Sequence, residues 1–303
     1  MNAILHDSGY VPYVFDSIYS NRWVYSINRF FRVLYLLLLL KKGDICFLQW
    51  PIYSRIDRVL YAVLKNRRVH LQLLIHDLAS IRLNKFEEYE KKFLLFADTI
   101  IVHTSAMKDL IVSWGVEESR IRILTSFDYL VYDNDLPTRK MSNDVAFAGN
   151  LSKSKFLQKI EGNSIGIQIF CYGSKVRDLS KPLIYKGKFD ADYVSGIEGS
   201  WGLVWDGNDV DTCSGILGDY LRINSPHKVS LYIVSKLPII IWKEAALADY
   251  VQTKGLGVVV DSLLDIPSVL SEISESKYCS ILENLERERK ELIAGMHLKQ
   301  FLT

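Results

Sequence analysis

The feature that most limits how this chain can fold is its periodicity, which alternates between short β-type runs and helix-length segments from one end to the other. In the first half, residues 10–15, 44–49, 69–75, 98–103 and 121–124 read as strands, and residues 24–41, 56–66, 85–96 and 105–114 read as helices. Gly43 and Gly115 stand where helix C-caps are expected. Strands separated by helices of this length make βαβ units and a parallel sheet. A polar stretch, residues 133–144, carries Pro137 and no period, and reads as a linker. The alternation then resumes, with strands at 145–148, 165–171, 203–205, 238–242 and 257–260, and helices at 229–235 and 281–293. The expected architecture is α/β: two doubly wound domains, 1–138 and 139–303, facing a cleft, with the last helix placed to cross back. The 303 residues suit two domains of about 150 each.

Charge and cysteine usage remove several function classes. Lys and Arg total 37 against 35 Asp and Glu, a net charge of +2, so nothing calls for a nucleic-acid partner. The four Cys (46, 171, 213, 279) form no CxxC pair, which indicates buried thiols in a reducing compartment. The apolar run 33–40, ended by Lys41 and Lys42, is too short for a bilayer core that needs about 20 residues. Residues 23–40 read instead as a mostly buried helix, or as one resting on a membrane surface. The start, MNAILHDSGY, lacks the basic end and apolar core of a signal peptide, and a cytoplasmic protein is expected, at most at the inner face of the membrane.

There is no GxGxxG, GxxxxGK[ST] or HExxH, and the six His are dispersed, so no metal site is expected. Four patterns remain. In FAGNLSK (147–153), a strand runs through Gly149 and Asn150 into a turn and helix; glycine allows close approach to a ligand, and a helix start with Lys153 favours an anion. The alternative is a plain strand–helix turn. In NSPHK (224–228), Ser225 and Pro226 open a helix whose first turn holds Lys228. A cation there opposes the helix dipole unless both hold one phosphate; the alternative is a solvated lysine. The loop WDGNDVDTCSG (205–215), with Asp206, offers hydroxyls and carboxylates suited to a sugar or ribose, whereas its spacing does not fit a calcium loop. Finally, His76 and Asp77 follow a strand at its carboxyl end, where a general base would stand; the alternative is a core histidine with a capping aspartate.

At these residues the chain resembles the bacterial β-1,6-galactofuranosyltransferases of O-antigen assembly. It is similar, more distantly, to the glucosyltransferases acting second on serine-rich streptococcal adhesins. Residues 202–251, GLVWDGNDVDTCSGILGDYLRINSPHKVSLYIVSKLPIIIWKEAALADYV, carry most of the likeness, supported by AGNLSKSKF (148–156), FDYLV (127–131) and IHD (75–77). The resemblance implies a GT-B fold of two Rossmann-like domains, a UDP-sugar donor held mainly by the C-terminal one, and no cofactor or essential metal. It makes Lys153 and Lys228 the donor-diphosphate contacts and places Asn150 and Tyr172 near the uridine or phosphates. It further implies a lipid-linked oligosaccharide acceptor in surface polysaccharide assembly; peripheral membrane contact and homo-oligomerisation are compatible with it.

Two departures bear on mechanism. Many retaining GT-B enzymes carry two glutamates eight residues apart, where this chain has Ile223 and Leu231. Their absence favours inverting single displacement, with Asp77 as base and His76 beside it. Relatives also begin with a strand, a glycine loop and a helix, and Met1 falls inside that helix. A first βα unit of roughly 20–30 residues is expected to be missing, against about 30 for a βαβ unit. The main expectation is galactofuranosyl transfer from UDP-galactofuranose. A UDP-glucose-dependent enzyme of the same fold and a catalytically impaired nucleotide-binding or partner protein are the alternatives.

Overall fold

The computed structural model describes residues 1–13, 22–51, 57–83, 88–132, 135–162, 165–174 and 177–302. The chain divides into two compact units, residues 2–103 with 107–123, and residue 1 with 104–106 and 124–303.

The N-terminal unit is a four-stranded sheet in the order β1-β2-β3-β4, formed by β1 (Ile45–Trp50), β2 (His70–Ile75), β3 (Thr99–Val102) and β4 (Ile121–Ile123). Every neighbouring pair is parallel. Around it run α1 (Asn2–Asp7), α2 (Arg22–Leu39), α3 (Asp57–Arg67), α4 (Ala79–Arg82), α5 (Glu88–Phe96) and α6 (Ser105–Ser113). Leu71, Leu73, Ile100 and Val102 are fully buried, as a parallel sheet covered on both faces requires. The expected strand at 10–15 is not one: residues 10–13 are irregular, and 14–15 lie outside the described residues. Gly9 at φ +86° closes α1, and the Tyr10 amide donates to the Leu5 carbonyl at 3.0 Å. The strand-forming donor is therefore spent on a helix end.

The C-terminal unit is a six-stranded sheet in the order β10-β9-β8-β5-β6-β7. Its strands are β5 (Asp144–Ala148), β6 (Gln168–Tyr172), β7 (Leu183–Gly187), β8 (Trp201–Val204), β9 (Ile239–Trp242) and β10 (Gly257–Val260). All pairs are parallel. Its helices are α7 (Phe156–Ile160), α8 (Gly215–Leu221), α9 (His227–Val234), α10 (Ala248–Thr253), α11 (Ile266–Ser271), α12 (Glu275–Ile293) and α13 (Met296–Lys299). The core is dominated by Trp201, Trp205, Trp242 and Tyr232. The stretch read as a linker is fastened to this unit, because Arg139 donates to the carbonyls of Ile197 and Ser235 at 2.7 and 2.9 Å. β7 and α8 have no counterpart in the sequence reading. β7 is a half-buried edge strand, and α8 is a seven-residue helix with two glycines.

The cysteines are unpaired. Burial pushes the thiol pKa values of Cys171 and Cys213 up to about 12, whereas Cys279 is exposed on α12, against the expectation of a buried thiol. No described helix is long and apolar enough to cross a membrane.

Candidate functional site

Because all six strands of the C-terminal sheet run parallel, their carboxyl ends share one edge. The chain enters this sheet at β5, builds β6 and β7 on one side, then crosses to β8, β9 and β10 on the other. The strand order therefore reverses between β5 and β8, the position where open α/β sheets bind ligands. The two strands pair only at Val145–Trp201 and Ala146–Gly202 and then separate. In the gap the Tyr232 hydroxyl accepts from the Ala148 amide at 2.9 Å and donates to the Leu203 carbonyl at 3.1 Å. That phenol replaces a ladder bond and holds the fork open. Its burial pushes its pKa far above the usual tyrosine range.

Lys228 stands at this fork. It lies in the first turn of α9, as the sequence indicates, and its ammonium donates to the Trp205 carbonyl at 2.8 Å and Asp206 Oδ1 at 3.0 Å. It also sits 4.9 Å from the centre of the Phe147 ring. The side chain is only 12% exposed, so this is a positioned cation rather than a solvated one. Just before α9, Ser225 is buried, and among the described residues neither its Oγ nor Asn224 Oδ1 has a hydrogen-bond partner. No side chain caps the start of α9. Buried polar atoms are nearly always satisfied, so two orphans beside a cation and an uncapped helix start suit an incoming polar ligand.

Across the fork, Gly149 and Asn150 turn the chain after β5. The Gly149 amide donates to the Tyr172 carbonyl at 3.0 Å, and the Asn150 side chain accepts from the Ser152 amide at 3.1 Å and its hydroxyl at 2.6 Å. Lys153 is exposed in this turn. The helix expected to begin beside it starts only at Phe156 and has five residues, too short for its dipole to add much. Any anion preference here comes from the turn and the lysine. Tyr172 is buried, with its hydroxyl accepting from the Glu198 amide at 2.8 Å, so it reaches the turn through its carbonyl and not its ring.

The sequence reading missed the partner of this turn. Gly173, at φ +151°, lies so close that a β-carbon would stand 2.2 Å from the Gly149 carbonyl oxygen. Gly149, Asn150, Gly173, Ser174, Lys188 and Phe189 line a cavity of about 310 Å³ at the carboxyl edge. A larger cavity of about 560 Å³, lined in part by Asp144, Gln168 and Pro182, opens at the amino end of β5 and β6, away from the fork. Strand polarity selects the smaller one. The polar loop after β8 is itself structured: Trp205 Nε1 donates to the Asp209 carbonyl at 2.9 Å, and Lys159 binds Asp209 Oδ2 at 2.6 Å. Asp206 faces Lys228 and Asp209 does not.

In the N-terminal unit, His76 and Asp77 follow β2 at its carboxyl end. His76 Nε2 is 3.1 Å from Gln49 Oε1, and Asp77 pairs with Arg82. Buried Glu90 accepts from Trp50 Nε1 at 2.9 Å and from the amides of Ala79 and Ser80 at 3.0 and 3.1 Å. This carboxylate caps the start of α4 and so fixes the backbone that follows Asp77. Its spacing from Asp77 gives no sequence signal.

A second ionic cluster joins the C-terminal helices to residues 126–128. Glu288 is held by Tyr250, by Lys254 at 3.0 Å and by His297 at 3.2 Å, while Asp128 accepts the His297 and Leu298 amides at 3.0 and 2.7 Å. Glu288, Glu291 and His297 are close enough to resemble a metal-ligand set. Lys254 and the His297 ring already engage Glu288, which makes this a fastening.

Residues 1–126 match the N-terminal domain, and residues 145–303 the C-terminal domain, of the family described as glucosyltransferase 3-like. The chain is 29% identical over 271 residues to the β-1,6-galactofuranosyltransferase WbbI of Escherichia coli K12, covering 87% of this chain and 79% of that one. It is 22% identical over 278 residues to glucosyltransferase 3 of Streptococcus gordonii, with coverages of 86% and 78%. Among solved structures, Anabaena Alr3699/HepE in complex with UDP matches with a TM-score of 0.60 at 12% identity, over 89% of this chain and 80% of that one. The fold is that of the GT-B glycosyltransferases, as the resemblance implied.

Proposed function

The chain belongs to the glucosyltransferase 3-like family of glycosyltransferases, and from that premise we propose that it moves galactofuranose from UDP-galactofuranose to a lipid-linked saccharide acceptor. The observation that carries the donor site is Lys228, a largely shielded ammonium at the β5–β8 fork beside the Gly149 turn and two orphaned polar atoms. A diphosphate placed there meets Lys228, the open start of α9 and, on the other side, Lys153. These groups stabilise the negative charge that develops on departing UDP, with no metal needed in the step.

The acceptor hydroxyl loses a proton as it attacks the anomeric carbon, so a base is required. Asp77 is already engaged by Arg82, so we assign the base to His76, whose ring Gln49 orients. With Ile223 and Leu231 where a retaining pair would stand, one displacement inverts the configuration and gives a β-linked product. UDP-glucose is the second donor reading, favoured by the likeness to glucosyltransferase 3. The test is a transfer and donor-hydrolysis screen over UDP-sugars with excess EDTA present. Turnover of UDP-galactofuranose above UDP-glucose supports the main reading, the reverse order supports the second, and activity restored only by added Mg²⁺ or Mn²⁺ overturns the metal-free mechanism.

A further inference from the structure

The longest helix of the N-terminal unit, α2, presents an apolar face to solvent. Trp23, Ile27, Phe31, Tyr35 and Leu38 recur at three- and four-residue spacing along one stripe, and Trp23, Phe31 and Leu38 are 80%, 63% and 78% exposed. The opposite face is anchored through Val33 and Leu36, which are buried, so the stripe is not the helix's core contact. Residues 22–43 contain three Arg and two Lys and no acidic residue. The first acid beyond them, Asp44, is turned onto the Lys41 amide at 2.8 Å.

We propose that α2 is a membrane-surface helix that lies in the headgroup region of an anionic bilayer. Apolar and aromatic side chains on one stripe of a helix, followed at once by the exposed Lys41 and Lys42, match the interfacial type, in which burial of apolar area and attraction to anionic lipid act together. Trp and Tyr suit a boundary that is apolar on one side and wet on the other. A second copy of the chain is the poorer occupant, because pairing this face with itself brings together two copies of a segment, residues 22–43, whose charged side chains are all basic. The proposal stands on α2 and is independent of which sugar is transferred.

The experiment is co-sedimentation of the full chain with phosphatidylcholine vesicles, with and without phosphatidylglycerol, at low and high salt. The wild-type chain should bind the anionic vesicles and be released by salt. The combined exchange Trp23→Ser, Phe31→Ser and Leu38→Ser should weaken binding at least about tenfold, given the apolar area removed. Lys41→Glu with Lys42→Glu should erase the preference for anionic lipid. Absence of wild-type binding overturns the proposal, as does undiminished binding of the folded serine variant. A wild-type dimer that the serine variant converts to monomer, with vesicle binding unchanged, assigns the face to a second copy instead. If the serine variant fails to fold, the lysine pair and the salt response of the wild-type chain decide, and a null effect of either overturns it.

Discussion

Gly202 and Tyr232 are packed so closely that a β-carbon at residue 202 would stand 2.4 Å from Tyr232 Cγ. The missing side chain on β8 is what admits the ring that forks the sheet. Gly202→Ala should therefore destabilise the C-terminal unit by about 1–3 kcal/mol, the usual cost of overpacking. Tyr232→Phe should cost a similar ~1–3 kcal/mol by leaving the Ala148 amide and Leu203 carbonyl unpaired. Urea unfolding measures both. Wild-type stability in the two variants would mean the fork does not depend on this pair.

Lys228 and Lys153 differ in how they are held, and their variants should differ accordingly. Lys228→Ala removes a half-buried cation and leaves Asp206 facing the diphosphate, so UDP affinity should fall by about 1.5–3 kcal/mol, as for a charged hydrogen bond. Lys153→Ala should cost less, since that side chain is exposed. Calorimetry with UDP reads both, and wild-type affinity in the double variant would place the donor elsewhere.

For the base, His76→Ala should lower kcat by ~10²–10⁴-fold while leaving UDP affinity nearly unchanged. Asp77→Asn should be milder, because Arg82 already engages the carboxylate. The opposite ranking would return the role to Asp77. Full activity in both would make the pair structural. Product NMR should show a β linkage, and an α-linked product would defeat single displacement.

The Glu288–His297 fastening predicts a pH window. Burial alone would raise the Glu288 pKa, but His297, Tyr250 and Lys254 outweigh it and hold that pKa at about 2, below the usual 4.5. This contribution is present above pH 4.5 and is lost as pH falls toward 2. For His297, burial acts downward, yet Glu288 and Asp128 raise its pKa above 6.5. Its contribution is complete below pH 6.5 and disappears as pH rises through the elevated value. The Tm deficit of His297→Gln should thus be largest between about pH 4.5 and 6.5 and shrink at higher pH. A deficit independent of pH would show that the charge of His297 contributes nothing.

What the linear sequence determined by itself is periodic or local in origin. Hydrophobic period placed β1 to β3, β9, β10 and the long helices, and the resemblance of residues 202–251 led to a glycosyltransferase. The first-turn position of Lys228 was legible because a cation at a helix start is a local anomaly. The tertiary structure decided which partner each polar group meets, near or far along the chain. It spent the Tyr10 amide on α1, turned the Tyr172 ring into the core, gave Asp209 to Lys159 and Asp77 to Arg82, and set Gly173 against Gly149. β7 escaped because an edge strand buries too little to show a period, and α8 because its glycines lower helix propensity while packing selects them. Sequence pattern reports which face each segment must bury. Only the fold reports which hydrogen-bond and charge partners remain for a ligand once burial has taken its share.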